Sequence, residues 1–151
     1  MDEVDSAILR ELQTDARITN RDLAARVGIA PSTCLERVRV LRNRGVLKGF
    51  HAEVDLKALN RSVEALVAVR VRPLSRAEVA EFERTLIALP EVLTVYTTSG
   101  VDDFVVHVAV RDMEHMHTFV VDRLGGRREV VGYRSSMIYL STKTPAITEL
   151  H

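Results

Sequence analysis

The sequence predicts an α+β chain in two parts, an N-terminal winged helix-turn-helix domain and a C-terminal ferredoxin-like βαββαβ domain. Up to residue 45, apolar residues recur at helical spacing, and a glycine and a proline stand where one helix would end and the next begin. From residue 63, β-branched runs typical of strands alternate with two helical patterns. The expected ranges are 1–50 for the first domain, 51–62 for a linker strand or hinge, and 63–151 for the second domain.

Two helices are expected before residue 30. The first runs from about Val4 to Thr14, with Asp2 available as its N-cap. The second begins at Thr19, which forms a capping-box-like pair with Asp22. It ends at Gly28, where a left-handed residue is wanted and glycine has no Cβ penalty.

A third helix opens at Pro31, where the missing N–H costs nothing. Cys34, Val38 and Leu41 fall on one face of this helix and are expected to be buried. This is the helix-turn-helix arrangement, in which the second of two short helices offers side chains to a major groove. The residues left pointing outward, and so predicted to bind DNA, are Ser32, Thr33, Glu36, Arg37, Arg39 and Arg44.

Positive charge is concentrated in this helix and the segment after it. The whole chain is neutral, with 21 basic and 21 acidic residues. Residues 31–50 nevertheless hold five basic residues and one acidic residue, as contacts to phosphate require. The alternative is an exposed helix face whose arginines only keep it soluble. The pattern favours DNA binding over that alternative.

Composition excludes several classes of protein. Hydrophobic residues make up 46% and charged residues 28%, an ordinary balance for a soluble globular chain, and no run approaches the ~18 apolar residues of a membrane span. The N-terminus is acidic and lacks a signal-peptide n-region. The lone cysteine, Cys34, has no disulfide partner and no metal-type spacing around it. We therefore expect a cytoplasmic protein without membrane, metal or cofactor.

Beyond Gly45 the apolar run through Phe50 to Val54 looks extended, as a wing or a departing strand, and the polar segment 55–62 is the expected boundary. In the second domain, Ser75 and Glu78 form a capping box for a helix to Leu89. Asp112 caps a helix to Leu124. Strands are expected at 64–72, 92–98, 104–110 and 130–140.

These strands read as apolar on both faces. Phe104 and Val106, for example, alternate with Val105 and Ala109. A solvated face of an antiparallel sheet should be polar, so a second copy of the chain is expected to cover it. A two-fold homodimer would also suit a palindromic DNA site.

The chain resembles the Lrp/AsnC transcriptional regulators of bacteria and archaea. The matching N-terminal segments include Asp15-Ala16-Arg17-Ile18, Asp22-Leu23-Ala24, Val27-Gly28, Cys34-Leu35-Glu36-Arg37-Val38 and Lys48-Gly49-Phe50. The second half, with Ser99-Gly100 and then Asp102-Asp103-Phe104, is similar to the family's effector-binding domain. The resemblance implies a DNA-binding regulator, responsive to an amino acid, whose dimers associate into octamers.

The resemblance also implies an effector pocket between dimers. Turn N–H groups near a glycine suit an α-carboxylate, and a carboxylate such as Asp103 suits an α-ammonium. A solvated hairpin turn is the alternative for the same residues. Val101 and Asp102 stand where many relatives carry an acidic residue and an aromatic one, which puts the family's effector specificity in question. The residues matched to the pocket are Thr98, Gly100, Val101, Asp102, Asp103, Ser135, Ser136 and Met137.

Arg37 is the leading candidate for a bidentate guanine or phosphate contact, whereas Glu36 suits an intrahelical pair with a neighbouring arginine equally well.

An enzyme is the main competing class. His115 and His117 lie two apart on a helix and face different ways, and no recurring set of catalytic residues accompanies them. We expect no enzyme. A DNA-binding assembly protein of the same architecture, without a live effector site, remains the alternative.

Overall fold

The computed structural model describes residues 1–150, which form two compact units. The first comprises Met1–Glu53 together with the C-terminal residues from Thr142 onward, and the second is Val54–Ser141. The sequence pattern grouped the C-terminal residues with the second domain. In the structure, the amide of Gln13 makes two hydrogen bonds of 2.9 Å with the backbone of Ile147, and these hold the tail to the first unit.

The first unit contains three helices, α1 (Glu3–Thr14), α2 (Asn20–Val27) and α3 (Pro31–Asn43). The N-caps are those expected: Asp2 accepts from the N–H of Asp5, and Thr19 accepts from that of Asp22. Gly28 ends α2 with a φ of 72°, as its position predicted. A small apolar core joins the three helices through Ile8, Leu12, Leu23, Ala24, Cys34 and Leu41.

The segment after α3, which was expected to form a wing or a departing strand, forms no strand in the described residues. The chain from residue 44 to residue 56 is irregular, and a single 3₁₀ turn follows at Lys57–Leu59. Its apolar side chains remain partly exposed, Phe50 by 43% and Val54 by 55%. An extended segment needs a hydrogen-bonding partner strand, and the chain supplies none here.

The second unit is a four-stranded antiparallel sheet with helices on one face. Its strands are β1 (Val63–Val71), β2 (Val92–Thr97), β3 (Phe104–Val110) and β4 (Val130–Met137), in the order β2-β3-β1-β4. The helices are α4 (Arg76–Ile87) and α5 (Met113–Thr118), the latter continued by a π-helical segment at Phe119–Gly125. This is the ferredoxin-like plan, so that prediction is confirmed.

The helices bury one sheet face. The inward residues of β1 and β3, such as Val67 and Val106, are fully buried against Phe82, Leu86 and Phe119. The capping box predicted at the start of α4 is present: the Ser75 hydroxyl accepts from the N–H of Glu78, whose carboxylate accepts from the N–H of Ser75. This pairing lowers the pKa of Glu78 to about 2.

The outward sheet face is mixed, so the prediction that it is apolar throughout is wrong. Leu66 and Tyr96 are exposed there, in keeping with the prediction. Between them, however, the His107 Nε2 lies 3.0 Å from the Glu64 carboxylate. Further charge comes from Arg70 and Arg134, which the strand register places on the same face. The sequence pattern missed this because only the strand register shows which alternate residues of neighbouring strands share a face.

Candidate functional site

The outer face of α3 is the first candidate surface. Ser32 and Thr33 are exposed in its first turn, and Arg44 is exposed just beyond its last. Glu36 is also exposed, and its carboxylate lies 3.6 Å from the Arg39 guanidinium, one helical turn away. That is the intrahelical pair expected as the alternative for Glu36. An exposed pair of this kind contributes little stability, so both side chains can turn to a partner.

Arg37, the leading candidate for reading a base, does not point outward. Its Nη1 lies 2.6 Å from the Asp2 carboxylate and 2.8 Å from that of Asp5, so the guanidinium ties α3 to α1. The pKa of Asp2 is lowered by the N–H of Asp5 and then by the Arg37 guanidinium. The expectation of an outward Arg37 is therefore corrected. Sequence spacing missed these contacts because both carboxylates lie more than thirty residues away.

Two basic residues outside the predicted set, Arg42 in the last turn of α3 and Lys48 after the helix, add to this surface. Arg42 has its guanidinium 6.0 Å from the centre of the Phe50 ring, in the range of a cation–π contact. A groove of about 600 Å³ is lined by Arg39, Arg42 and Lys48 together with the apolar Leu35 and others. The local excess of positive charge was the signal for Arg42 and Lys48. The exposed face of α3 and this groove together present a basic surface suited to phosphate.

The turn between β2 and β3 is the second candidate site. Gly100 has a φ of 132°, confirming the need for glycine there. The turn closes on itself, since the Thr98 N–H donates to the Asp103 carbonyl at 2.9 Å and the Thr98 hydroxyl donates to the Asp102 carbonyl at 2.7 Å. Val101 at its tip is exposed.

Both turn carboxylates are already bonded within the unit. The Asp103 Oδ2 accepts from the Val71 N–H at 2.8 Å, and the Asp103 N–H donates to the Val69 carbonyl at 3.0 Å. The Asp102 carboxylate lies 2.6 Å from the guanidinium of Arg134. Asp103 thus braces the turn against the end of β1, a role that spacing along the chain could not reveal.

The two halves of the predicted effector pocket lie apart within one chain. Ser135 and Ser136 pair with Val67 and Leu66 of β1, and Met137 with Ala65, whereas the turn is bonded to Val71. The turn is also bonded to the Val69 carbonyl, so these β1 partners lie two to six residues, or about 7–20 Å, along the strand from the bonded positions. Ser135 and Ser136 are exposed and Met137 is half-buried. None of these three residues lines the cavity that lies beside the turn.

A cavity of about 340 Å³ lies beside the turn. Of the predicted residues, Thr98 and Asp103 line it. Its remaining walls include Val71, Leu74 and Val79, which come from the end of β1 and the start of α4. Sequence reasoning missed these residues because only the sheet topology places them beside the turn.

Metal sites, membrane-spanning helices and the cysteine are further features to consider in the described part of the chain. No group of three or more metal-ligating side chains occurs among residues 1–150. Within the same residues, no helix has the length and apolar character needed to cross a bilayer. Cys34 is buried, and burial raises the pKa of its thiol.

Comparison with known families agrees with this architecture. Residues 1–48 match the model of a winged helix-turn-helix DNA-binding domain, and residues 64–147 match that of the Lrp/AsnC ligand binding domain. The transcriptional regulator AldR of Mycobacterium tuberculosis is 40% identical over 92% of this chain and 78% of its own length. AzlB of Bacillus subtilis, also a transcriptional regulator, is 35% identical over 95% of this chain and 91% of its own length.

Solved structures give the same result. A transcriptional regulator of Neisseria meningitidis in complex with L-Met superposes with a TM-score of 0.88, at 28% identity, over 99% of this chain and 96% of that one. The structure of M. tuberculosis AldR gives a TM-score of 0.71 at 37% identity, over 95% and 97% of the two chains. The relatives are regulators and not enzymes. The chain carries a DNA-binding domain and a ligand-binding domain in the matching order, and it belongs to the Lrp/AsnC family of transcriptional regulators.

Proposed function

We propose that this regulator binds operator DNA through α3 and that an amino acid, bound at the β2–β3 turn, changes its DNA affinity or its assembly. The observation that carries the DNA part is the exposed face of α3, whose polar side chains lie beside a basic groove. Ser32 and Thr33, in the first turn of the helix, suit base edges in the major groove. Arg39, Arg42, Arg44 and Lys48 suit phosphates.

The effector part rests on the cavity beside the turn. A free amino acid needs donors for its carboxylate, an acceptor for its ammonium and a surface for its side chain. Backbone N–H groups around Gly100 supply the donors, and the second oxygen of Asp103 supplies the acceptor. Leu74 and Val79 supply an apolar wall. The L-Met complex of the meningococcal regulator supports this class of ligand.

The assembly part of the proposal rests on the predicted effector pocket, which one chain leaves incomplete. Ser135, Ser136 and Met137 pair with β1 residues about 7–20 Å along the strand from the positions bonded to the turn, and none of them lines the cavity beside it, so we expect another subunit to contribute them to the pocket. The exposed Leu66 and Tyr96 on the outward sheet face and the strandless segment after α3 support a second copy as partner. We propose a cytoplasmic homodimer that assembles further into an octamer.

The test combines two measurements on the full chain. Gel-shift titration with the DNA upstream of its own gene measures DNA affinity, and light scattering measures the mass of the assembly. Each is repeated with each of the twenty amino acids. A response in either quantity to at least one amino acid supports the proposal, and DNA binding that none of them changes contradicts the effector part.

A second candidate is the DNA-binding assembly protein without a live effector site. The observation that favours it is the internal bonding of Asp102 and Asp103, which leaves the turn few unsatisfied groups. Calorimetry separates the two, because this candidate binds none of the twenty amino acids while still shifting the DNA.

A further inference from the structure

The second unit has another cavity, at the opposite end of β3 from the turn. Its volume is about 200 Å³, and its walls come from the segment before β1, the α4–β2 loop, the end of β3 and the start of α5. The polar residues that line it are Asn60, Arg61, Glu91, Arg111 and His115. This cavity is open to solvent on one side, and its four ionisable side chains suit a small polar ligand.

Glu91 is the most informative of these residues. Among residues 1–150, it is the sole polar or charged residue that the fold buries, with 9% of its surface exposed. Its Oε1 lies 3.1 Å from the His115 Nε2. The other atom of each group, Glu91 Oε2 and His115 Nδ1, is buried without a hydrogen-bond partner. Natural proteins rarely leave such atoms unsatisfied, so the wall of this cavity lacks a donor.

The chemistry of the pair defines what is missing. A carboxylate only accepts, so the His115 Nε2 must be the donor in their shared hydrogen bond. In the neutral ring, Nδ1 is then an acceptor, as Glu91 Oε2 is. An occupant must therefore present a donor to this pair. Both atoms are buried, so a lining side chain must rotate to admit that donor.

Arg61 and Arg111 are hydrogen-bond donors, so they require an acceptor on the occupant. Arg61 is half-buried and donates from Nη1 to the Ala109 carbonyl at 3.1 Å, and within residues 1–150 no carboxylate pairs with it. Arg111 uses its Nε on Asp112, which leaves its terminal nitrogens as donors. Guanidinium groups of this kind suit a carboxylate.

We propose that this cavity binds a small carboxylate with a hydrogen-bond donor on the adjacent carbon, that is, an α-amino or α-hydroxy acid. The carboxylate binds Arg61 and Arg111, and the donor binds the Glu91–His115 pair. The volume equals that of about six or seven water molecules, which limits the ligand to a small side chain. This site is separate from the turn and does not depend on the effector proposed there.

The test uses the full chain labelled with ¹⁵N at histidine. Glycine, glycolate, acetate, methylamine and inorganic phosphate are titrated in turn while the His115 Nδ1 resonance and the calorimetric affinity are followed. We expect glycine and glycolate to move that resonance and acetate to bind at least tenfold more weakly. DNA does not enter this readout, so its failure is distinguishable from failure of the regulatory function.

Two variants and a control identify the site. Arg61→Met should weaken both ligands at least tenfold, whereas Arg128→Met, at an exposed arginine of the same unit, should change nothing. Glu91→Gln keeps the shape but removes the charge, so it should weaken glycine more than glycolate, and it serves if Arg61→Met does not fold. The signal should persist in Asp103→Asn, a turn variant.

Three outcomes would overturn the proposal. Acetate or phosphate binding as tightly as glycine would indicate an anion site alone. A His115 resonance unmoved by all five probes would indicate buried water only. Equal affinity in Arg61→Met and the unmodified chain would place the ligand elsewhere.

Discussion

The face of α3 and the β2–β3 turn are built in opposite ways. On the face of α3, the side chains of Ser32, Thr33 and Arg44 have no hydrogen-bond or ion-pair partner within residues 1–150, so these side chains are available to another molecule. In the turn, by contrast, Asp102 and Asp103 are both bonded inside the unit. A surface that contacts DNA must leave its donors unsatisfied, whereas a loop without secondary structure needs internal bonds to hold one shape.

This comparison predicts where substitutions should alter folding and where they should alter binding. Changes in the turn should lower the stability of the second unit together with any effector response. Changes on the exposed face of α3 should lower DNA affinity at constant stability. Arg37 is the exception on α3, because its guanidinium is bonded like the turn carboxylates.

Gly100→Val should have the largest effect on the turn. No atom lies within 4 Å of a Cβ built at this position, so the cost comes from the backbone. At a φ of 132°, a residue with a side chain is strained by about 1–3 kcal/mol, and a β-branched one is the least suited. Thermal unfolding of the variant measures the loss. Val101→Ala, at the exposed tip of the same turn, is the control and should be neutral.

A Gly100→Val protein with unchanged stability would show that the turn is not held rigidly. The comparison with α3 would then fail at its strongest point.

Asp103→Ala should have the second-largest effect. It removes the acceptor for the Val71 N–H and leaves that donor unpaired, at a cost of about 1–3 kcal/mol. Asp103→Asn retains an amide oxygen that can accept from the same N–H, so it should cost less while removing the charge proposed for the ammonium. Chemical denaturation and calorimetry with an amino-acid effector measure the two effects.

Equal stability of the two Asp103 variants would contradict the bracing role. Undiminished effector affinity in Asp103→Asn would move the ammonium site elsewhere.

The features that sequence predicted correctly are local ones. The caps at Asp2, Thr19 and Ser75 and the helix end at Gly28 each involve residues within five positions of one another. The fold class followed from them, because strand and helix order restricts the topology. Features formed by distant residues were missed, above all the bonds of Arg37 to Asp2 and Asp5.

The C-terminal end of β4 is a further feature that depends on residues distant in the sequence. The apolar pattern predicted a strand to Leu140, but β4 ends at Met137, and only one further backbone bond follows, from the Ile138 N–H to the Glu64 carbonyl at 2.9 Å. The chain leaves the sheet there, and Tyr139 and Leu140 are 96% and 85% exposed. In this register Val63, the first residue of β1, stands opposite Tyr139, so Leu140 has no partner in β1, and that limit is set by a residue far away in the sequence.

Arg37→Ala should have a moderate effect on both stability and DNA affinity. It removes two charged hydrogen bonds between α3 and the start of α1, so the stability of the first unit should fall slightly. DNA affinity should fall because the helix loses its support. Asp5→Asn weakens the same contact from the α1 side without changing any side chain of α3, so it should reproduce part of both losses. Unfolding and gel-shift titrations on the two variants and their double mutant measure the coupling.

If Arg37 instead reads a base, Arg37→Ala should weaken specific DNA binding and leave stability unchanged, while Asp5→Asn should do neither. That result would restore the assignment of Arg37 that sequence spacing favoured.

Arg44→Ala should have the smallest effect, and it tests the other side of the comparison most directly. The Arg44 side chain is exposed and has no partner in the described residues, and the alanine variant keeps the backbone N–H that caps α3, so unfolding should be unchanged. A phosphate contact neutralises one charge, so the slope of log affinity against log salt should become shallower by about 1, equally for specific and nonspecific DNA. Arg76→Ala, at an exposed arginine of the second unit, is the matched control and should leave the slope unchanged. An unaltered slope in Arg44→Ala would remove the end of α3 from the DNA surface and restrict that surface to the first turns of the helix.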